Sequence, residues 1–237
     1  IKPSIKIIDS AISTEFPISP NKFSVYIISF ALGLFLPIIV LYFWFVLDTK
    51  IHTKEQLLRY MEDSIPTIGE IPHVRESEQL NSFFGPTSRH PLAESIRVVT
   101  SNLKFHQSTI NKNESCLITL VTSSIKGEGK TLISSNLASV LSHNSNQKVL
   151  LIGADLRNPQ IHKLLDVDKD RKGLSDLLYK DDIDNYENYI TKYKNLDILL
   201  SGTIPPNPTE LLSGTKLVKL IEKLKTKYDF LIIDSAP

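Results

Sequence analysis

Leu117-Ile118-Thr119-Leu120-Val121 runs directly into Thr122-Ser123-Ser124-Ile125-Lys126-Gly127-Glu128-Gly129-Lys130-Thr131-Leu132. Five apolar or β-branched residues bounded by turn formers read as a short buried strand. From Lys130 onward the apolar spacing changes to that of a helix, over residues 130–141. The loop between them follows the pattern G-x-x-x-x-G-K-[ST]. Gly129, Lys130 and Thr131 fit it, and Ser124 stands at the position of the first Gly. Glycines at 127 and 129 let backbone N–H groups curl around an anion. Lys130 is spaced to reach β- and γ-phosphates, the Thr131 hydroxyl to ligate Mg²⁺, and the helix N-terminus adds a favourable dipole. A plain glycine turn is the competing reading. The strand before and the helix after favour a phosphate loop.

Outward from the loop, the alternation continues. Apolar runs at 148–152, 196–200 and 230–233 read as strands, and 209–225 reads as one helix. Continuous apolar strands separated by helices predict an α/β fold, a P-loop NTPase parallel sheet with helices on both faces. Ligands in such folds bind at the carboxyl ends of strands. A phosphate-loop site needs a carboxylate there to hold Mg²⁺. Asp234 follows Leu231-Ile232-Ile233, and Asp155 follows Val149-Leu150-Leu151-Ile152-Gly153-Ala154. Either acid alone also fits a helix N-cap. With the loop, in this order and on separate strands, both are expected at the metal.

The N-terminal part has a different character. Residues 23–47 contain no charged side chain. As a helix they would extend about 37 Å, enough to cross a hydrocarbon core of about 30 Å with some tilt. Lys50, Lys54 and Arg59 follow this run, against Lys22 just before it, which puts the C-terminal side in the cytoplasm. The expected organisation is an extracytoplasmic end at 1–22, a transmembrane helix at 23–47, a Pro- and Gly-punctuated cytoplasmic linker at 48–91, and a nucleotide domain at 92–237. The chain starts at Ile1 and stops just after a strand that reads as buried, as expected of a piece of a longer protein.

Composition narrows the function classes. The 237 residues carry a net charge of +1, so no basic surface for nucleic acid is indicated. Cys116 is the sole cysteine and reads as a small core residue, with no internal disulfide available. The six histidines lack metal-ligand spacing.

The motifs together resemble the bacterial tyrosine kinases fused to a polysaccharide co-polymerase (chain-length determinant). Residues 123–131 look like that family's Walker A. Leu151-Ile152-Gly153-Ala154-Asp155-Leu156-Arg157-Asn158-Pro159 looks like its Walker A′, and residues 229–237 look like its Walker B. Gly173-Leu174-Ser175-Asp176-Leu177-Leu178 and Pro205-Pro206-Asn207-Pro208-Thr209-Glu210-Leu211-Leu212 resemble further signatures, and Pro17-Ile18-Ser19-Pro20-Asn21-Lys22 resembles the proline-rich segment that ends the external domain. The resemblance implies an ATP- and Mg²⁺-dependent protein-tyrosine kinase at the bacterial inner membrane. Its nucleotide site would comprise Ser124, Gly127, Glu128, Gly129, Lys130, Thr131 and Leu132. Lys130, Asp155 and Asp234 would be catalytic, and Thr131, Asp155 and Asp234 would hold the metal. The implied partners are other copies in a ring, phosphorylating one another, and the machinery of polysaccharide export.

The chain departs from that pattern in three places. The second motif of the family has acids spaced D-x-D, and Gly153 takes the first position. The subunit-contact pattern E-x-x-R-x-x-R reads Glu94, Arg97, Thr100. The family's tyrosine-rich tail would lie beyond Pro237, and Tyr179, Tyr186, Tyr189 and Tyr193 read as partly exposed helix-face residues. Two readings therefore stand: an autophosphorylating kinase, or a co-polymerase whose nucleotide domain binds ATP with little transfer. A partition-type ATPase is a third; its signature lysine would fall at Ile125, and Lys126 is one residue away.

Overall fold

A computed structural model describes residues 20–51, 53–60, 65–73, 88, 90–110, 116–143, 147–168 and 170–237. They fall into two units, Ile1–Pro66 and Thr67–Pro237. Residues 17–19 of the proline-rich segment lie outside the described residues.

The first unit is dominated by helix α1 (Lys22–Leu47). After Lys22 the helix is uncharged and predominantly apolar on every side, and none of its 26 residues is buried, a combination that suits a lipid environment better than water. At 1.5 Å per residue it is about 39 Å long. Asn21 caps it by accepting the N–H of Phe23 at 3.1 Å. Helix α2 (Lys54–Tyr60) follows, with the Thr53 hydroxyl accepting the N–H of Gln56.

The second unit is a five-stranded sheet in the order β1-β5-β2-β4-β3. The strands are β1 (Leu117–Val121), β2 (Val149–Gly153), β3 (Ile190–Tyr193), β4 (Leu196–Leu199) and β5 (Phe230–Asp234). The first, second, fourth and fifth are parallel. Strand β3 runs antiparallel to β4 and forms one edge. The expected all-parallel sheet is corrected on this point. Ile190-Thr191-Lys192-Tyr193 is short and half polar, so the apolar-run criterion passes over it, and a tight connection to β4 permits the antiparallel pairing.

Both faces of the sheet are covered, as the continuous apolar strands require. One face packs Leu150, Ile152 and Leu231 against helices α6 (Leu174–Lys180) and α8 (Thr215–Lys225). The other packs Val149, Leu151, Phe230 and Ile232 against α4 (Lys130–Ser142) and the short α5 (Ile161–Leu164). Side chains alternate along a strand. Gly153 and Asp234, in register as neighbours on β2 and β5, therefore belong to the α4 face. Cys116 is buried in the core.

Three further points concern the helices and the grouped tyrosines. Helix α3 spans Pro91–Ile110 and packs Leu92 and Ile96 with Ile71 of the punctuated stretch and with Leu132 and Val140 of α4. The predicted helix at 209–225 is two helices, α7 (Pro208–Ser213) and α8. Gly214 breaks them with an extended backbone, at φ −74° and ψ 156°. Of the four grouped tyrosines, Tyr186 and Tyr189 are buried in the core on a 3₁₀ turn (Ile183–Tyr189), contrary to the exposed reading. Tyr179 is exposed.

Candidate functional site

The phosphate-loop residues sit between β1 and α4. Gly127 and Gly129 have φ of +96° and +91°, the left-handed region in which glycine carries no penalty. Helix α4 has Gly129 at its N-cap and no side chain capping it, and no acid lies in its first turn. Its leading N–H groups thus have no side-chain acceptor from the cap, while the positive end of the helix faces the loop. Glu128 is turned elsewhere. Its carboxylate accepts the N–H of Ser124 at 3.0 Å and of Ile125 at 3.4 Å, which holds the loop's outer turn closed.

Lys130 is buried and donates to the Ser123 hydroxyl at 2.8 Å. A buried ammonium with a neutral partner is costly unless a negative charge is supplied. Asp234 is 1% exposed at the end of β5, and its Oδ1 has no hydrogen-bond partner among the described residues. Burial pushes its carboxyl up to about 6. The hydroxyls of Thr131 and Ser134 and the charge of Lys130 oppose the rise, and the charge of Asp155 adds to it. An orphaned, desolvated carboxylate oxygen close to a threonine hydroxyl is a fitting place for a hard divalent cation. No cluster of three His, Cys, Asp or Glu occurs among the described residues, so any such ion would complete its shell with water or with oxygens of a ligand.

A cleft of about 690 Å³ opens over this arrangement, lined by Gly127, Gly129, Lys130, Thr131, Leu132 and Asp155. Ser124 and Glu128 do not line it, and Asp234 lies beneath. Asp155 accepts the N–H groups of Arg157 and Asn158 at 3.2 and 2.9 Å through one oxygen. It therefore shapes the loop after β2 and leaves its second oxygen for other partners. Arg157 also lines the cleft and donates to the Thr209 hydroxyl at 2.9 Å. That bond ties the loop after β2 to the first turn of α7, so two motifs separated by fifty residues meet.

Gly153 is enclosed. A Cβ built on it would lie 2.7 Å from the Ser201 hydroxyl, 3.0 Å from the Ser201 amide nitrogen and 3.2 Å from the Ile161 δ-methyl. Its own strand parity would aim that side chain to the same face as Asp234. The place of an additional acid is thus occupied by residues from β4's end and from α5.

A second feature was hidden from sequence reasoning. Asp176, in the first turn of α6, accepts the N–H of Gly173 at 2.9 Å and the N–H and hydroxyl of Thr203 at 3.2 and 2.9 Å. Burial alone would raise this carboxyl, but the donors from Gly173 and Thr203 outweigh it and hold it below its ordinary value. The segment 200–204, anchored this way, forms a wall of a neighbouring 330 Å³ pocket that also contains His162 and Arg171. Only the Gly173–Leu178 pattern hinted at this knot.

The subunit-contact residues are also located. Glu94 and Arg97 pair with each other across one turn of α3. Thr100 is buried, and its hydroxyl donates to the Ile96 carbonyl at 2.7 Å. The position where the pattern would place an arginine therefore faces the interior.

The sequence of the AAA domain family matches residues 118–237, from β1 through the loop to Asp234, and the chain belongs to that nucleotide-binding family. Along nearly its whole length it is homologous to bacterial tyrosine kinases. It is 29% identical to the tyrosine-protein kinase etk of Escherichia coli over 99% of this chain and 34% of that protein. It is 31% identical to the tyrosine-protein kinase wzc of Salmonella typhi over 99% of this chain and 33% of that protein. The chain spans about one third of the length of the curated relatives it matches. Among solved structures, the kinase domain of Escherichia coli tyrosine kinase ETK aligns with a TM-score of 0.65 and 28% identity, over 79% of this chain and 74% of that one. The chimerical protein CapA2B2 aligns with a TM-score of 0.63 and 29% identity, over 78% and 76%.

Proposed function

We propose that this chain carries the nucleotide site of a membrane-anchored protein-tyrosine kinase that uses ATP and Mg²⁺. The observation that carries the reading is the uncapped N-terminus of α4. Two left-handed glycines open it, Lys130 stands at its head, and the unpartnered carboxylate oxygen of Asp234 lies below. Homology to tyrosine kinases over nearly the whole chain supports the reaction class.

In this reading the backbone of 127–132 binds the β-phosphate, and Lys130 stabilises charge on the transferring phosphoryl group. Thr131 and Asp234 would hold Mg²⁺, with Asp155 directly or through water, and the bound ion would supply charge neutralisation at the phosphates. A tyrosine hydroxyl attacks the γ-phosphorus as the bond to the β–γ bridging oxygen breaks. ADP leaves, and the phenol proton passes to a carboxylate. Asp155 is the accessible acid in the cleft and takes that role. Helix α1 anchors the protein in the bacterial inner membrane with the nucleotide unit in the cytoplasm. The acceptor is a tyrosine on another copy in a ring, and the assembly regulates the chain length and export of a capsular or exopolysaccharide.

A second reading, an ATP-binding co-polymerase with little phosphoryl transfer, is favoured by Gly153. No acid stands there, and its space is filled by Ser201 and Ile161. One experiment separates the two. The protein in lipid nanodiscs is incubated with Mg²⁺ and γ-labelled ATP, and phosphotyrosine is measured. The kinase reading expects label that disappears in Lys130→Met. Saturable ATP binding with no label in the wild type would leave only the second reading.

A further inference from the structure

The cleft over the phosphate loop holds more positive charge than the loop motif accounts for. Besides Lys130 and Arg157, it is lined by Lys126, from the loop, and by Lys163, from α5. The sequence pattern gave Lys163 no role. It lies eight residues past Asp155 on a helix of one turn, and the fold alone brings it to the cleft.

A solvated surface lysine is the ordinary explanation for such a residue. Its place in a concave surface beside Lys130, Arg157 and Lys126 speaks against it here. On α8 and just after it, Lys216, Lys223, Lys225 and Lys227 each face a carboxylate, of Asp181, Asp184, Glu222 and Glu187. Neither Lys126 nor Lys163 forms an ion pair among the described residues, although both share a concave surface with Lys130. The acids at hand are Asp155 and the buried Asp234; Glu128 is committed to the amides of Ser124 and Ile125. Four cations thus confront two carboxylates. Like charges converging in one cleft repel one another, and low-dielectric walls sharpen the effect. The arrangement is favourable only when an anion fills it.

The excess of two positive charges distinguishes between nucleotides. Mg–ATP carries about two negative charges and Mg–ADP about one, the difference residing in the γ-phosphate. We propose that Lys163, assisted by Lys126, makes this cleft selective for the nucleoside triphosphate over the diphosphate, so that spent nucleotide is released and fresh nucleotide retained. The proposal rests on the nucleotide-site reading above and adds a specificity-determining residue outside its motifs.

The test uses the whole protein in nanodiscs and equilibrium titration calorimetry with Mg–ATP and Mg–ADP, together with the melting temperature of the nucleotide-free protein. Lys163→Gln is expected to weaken Mg–ATP about tenfold and Mg–ADP by less than about threefold. The melting temperature should stay unchanged or rise, because a repulsion is removed. Lys163→Arg should keep the triphosphate preference. Equal losses for both nucleotides, or no loss for either, would overturn the proposal while leaving the loop's role intact. A wild type that binds neither nucleotide, with Lys130→Met indistinguishable from it, would overturn the site reading and the selectivity together.

Discussion

Gly153 shows how one residue sets the acid count of the site. Its Cα position, at the end of β2 and beside Asp234, would direct any side chain to the α4 face. The Ser201 hydroxyl can rotate away from a new Cβ, and the Ile161 methyl can yield. The Ser201 amide nitrogen, at 3.0 Å, is backbone and cannot. Gly153→Asp is therefore expected to cost about 1–3 kcal/mol of unfolding free energy, read from urea titration. It would also place a further carboxylate beside a desolvated one, so it should not by itself confer higher activity. Adding Ser201→Gly should return little of the lost stability, because the backbone contact remains. A single Gly153→Asp protein as stable as wild type would show that the space is more yielding than the packing indicates. The phosphate loop, in contrast, was legible from residues 117–132 alone, because its requirements are local: glycines for positive φ, a lysine, a hydroxyl and a helix start. Lys163 and Ser201 were not legible, since nothing near them in the chain signals which cleft or glycine the fold brings them to.

At the level of elements, the link between α6 and the segment after β4 depends on Asp176. Three donors from Gly173 and Thr203 converge on its carboxylate, which is why its folded-state pKa is depressed. A depressed carboxylate contributes stability that is present above its unfolded pKa, near 3.9, and lost as the pH falls through the lower folded value. The wild type should thus lose this contribution below about pH 4, and Asp176→Asn should show less of that acid-side loss. At neutral pH the substitution should cost about 1–2 kcal/mol, because an amide cannot accept from all three donors as strongly. Circular-dichroism melts across pH 3–7 would check both, and identical acid profiles would contradict the assignment. Which elements were readable follows the same logic. Strands β2, β4 and β5 lie inside the sheet, largely buried, and announce themselves as apolar runs, as does the half-buried edge strand β1. Strand β3 is an edge strand, and its Thr191 and Lys192 break the run. The division of 208–225 into two helices turns on the backbone at Gly214, which the apolar period spans without a sign.

For the molecule as a whole, the site exists because of the sheet order. Strand β5 lies between β1 and β2, so the phosphate loop after β1, Asp234 at the end of β5 and the Asp155 loop after β2 meet at one carboxyl edge. Residues more than a hundred positions apart thereby address one cleft. The raised Asp234 carboxyl gives this assembly a pH signature. A folded-state pKa of about 6, above the unfolded value, means that its contribution to folding is present at low pH and is lost as the pH rises through about 6. Metal binding needs the ionised form, so Mg²⁺-dependent nucleotide affinity should strengthen over the same interval. The most direct measurement compares ATP binding with and without Mg²⁺ in wild type and Asp234→Asn. The account predicts that Mg²⁺ strengthens wild-type binding by about tenfold or more and that the asparagine variant loses this increment while keeping its metal-free affinity. An Asp234→Asn protein that responds to Mg²⁺ as the wild type does would contradict the assignment of β5, the phosphate loop and the metal to a single site.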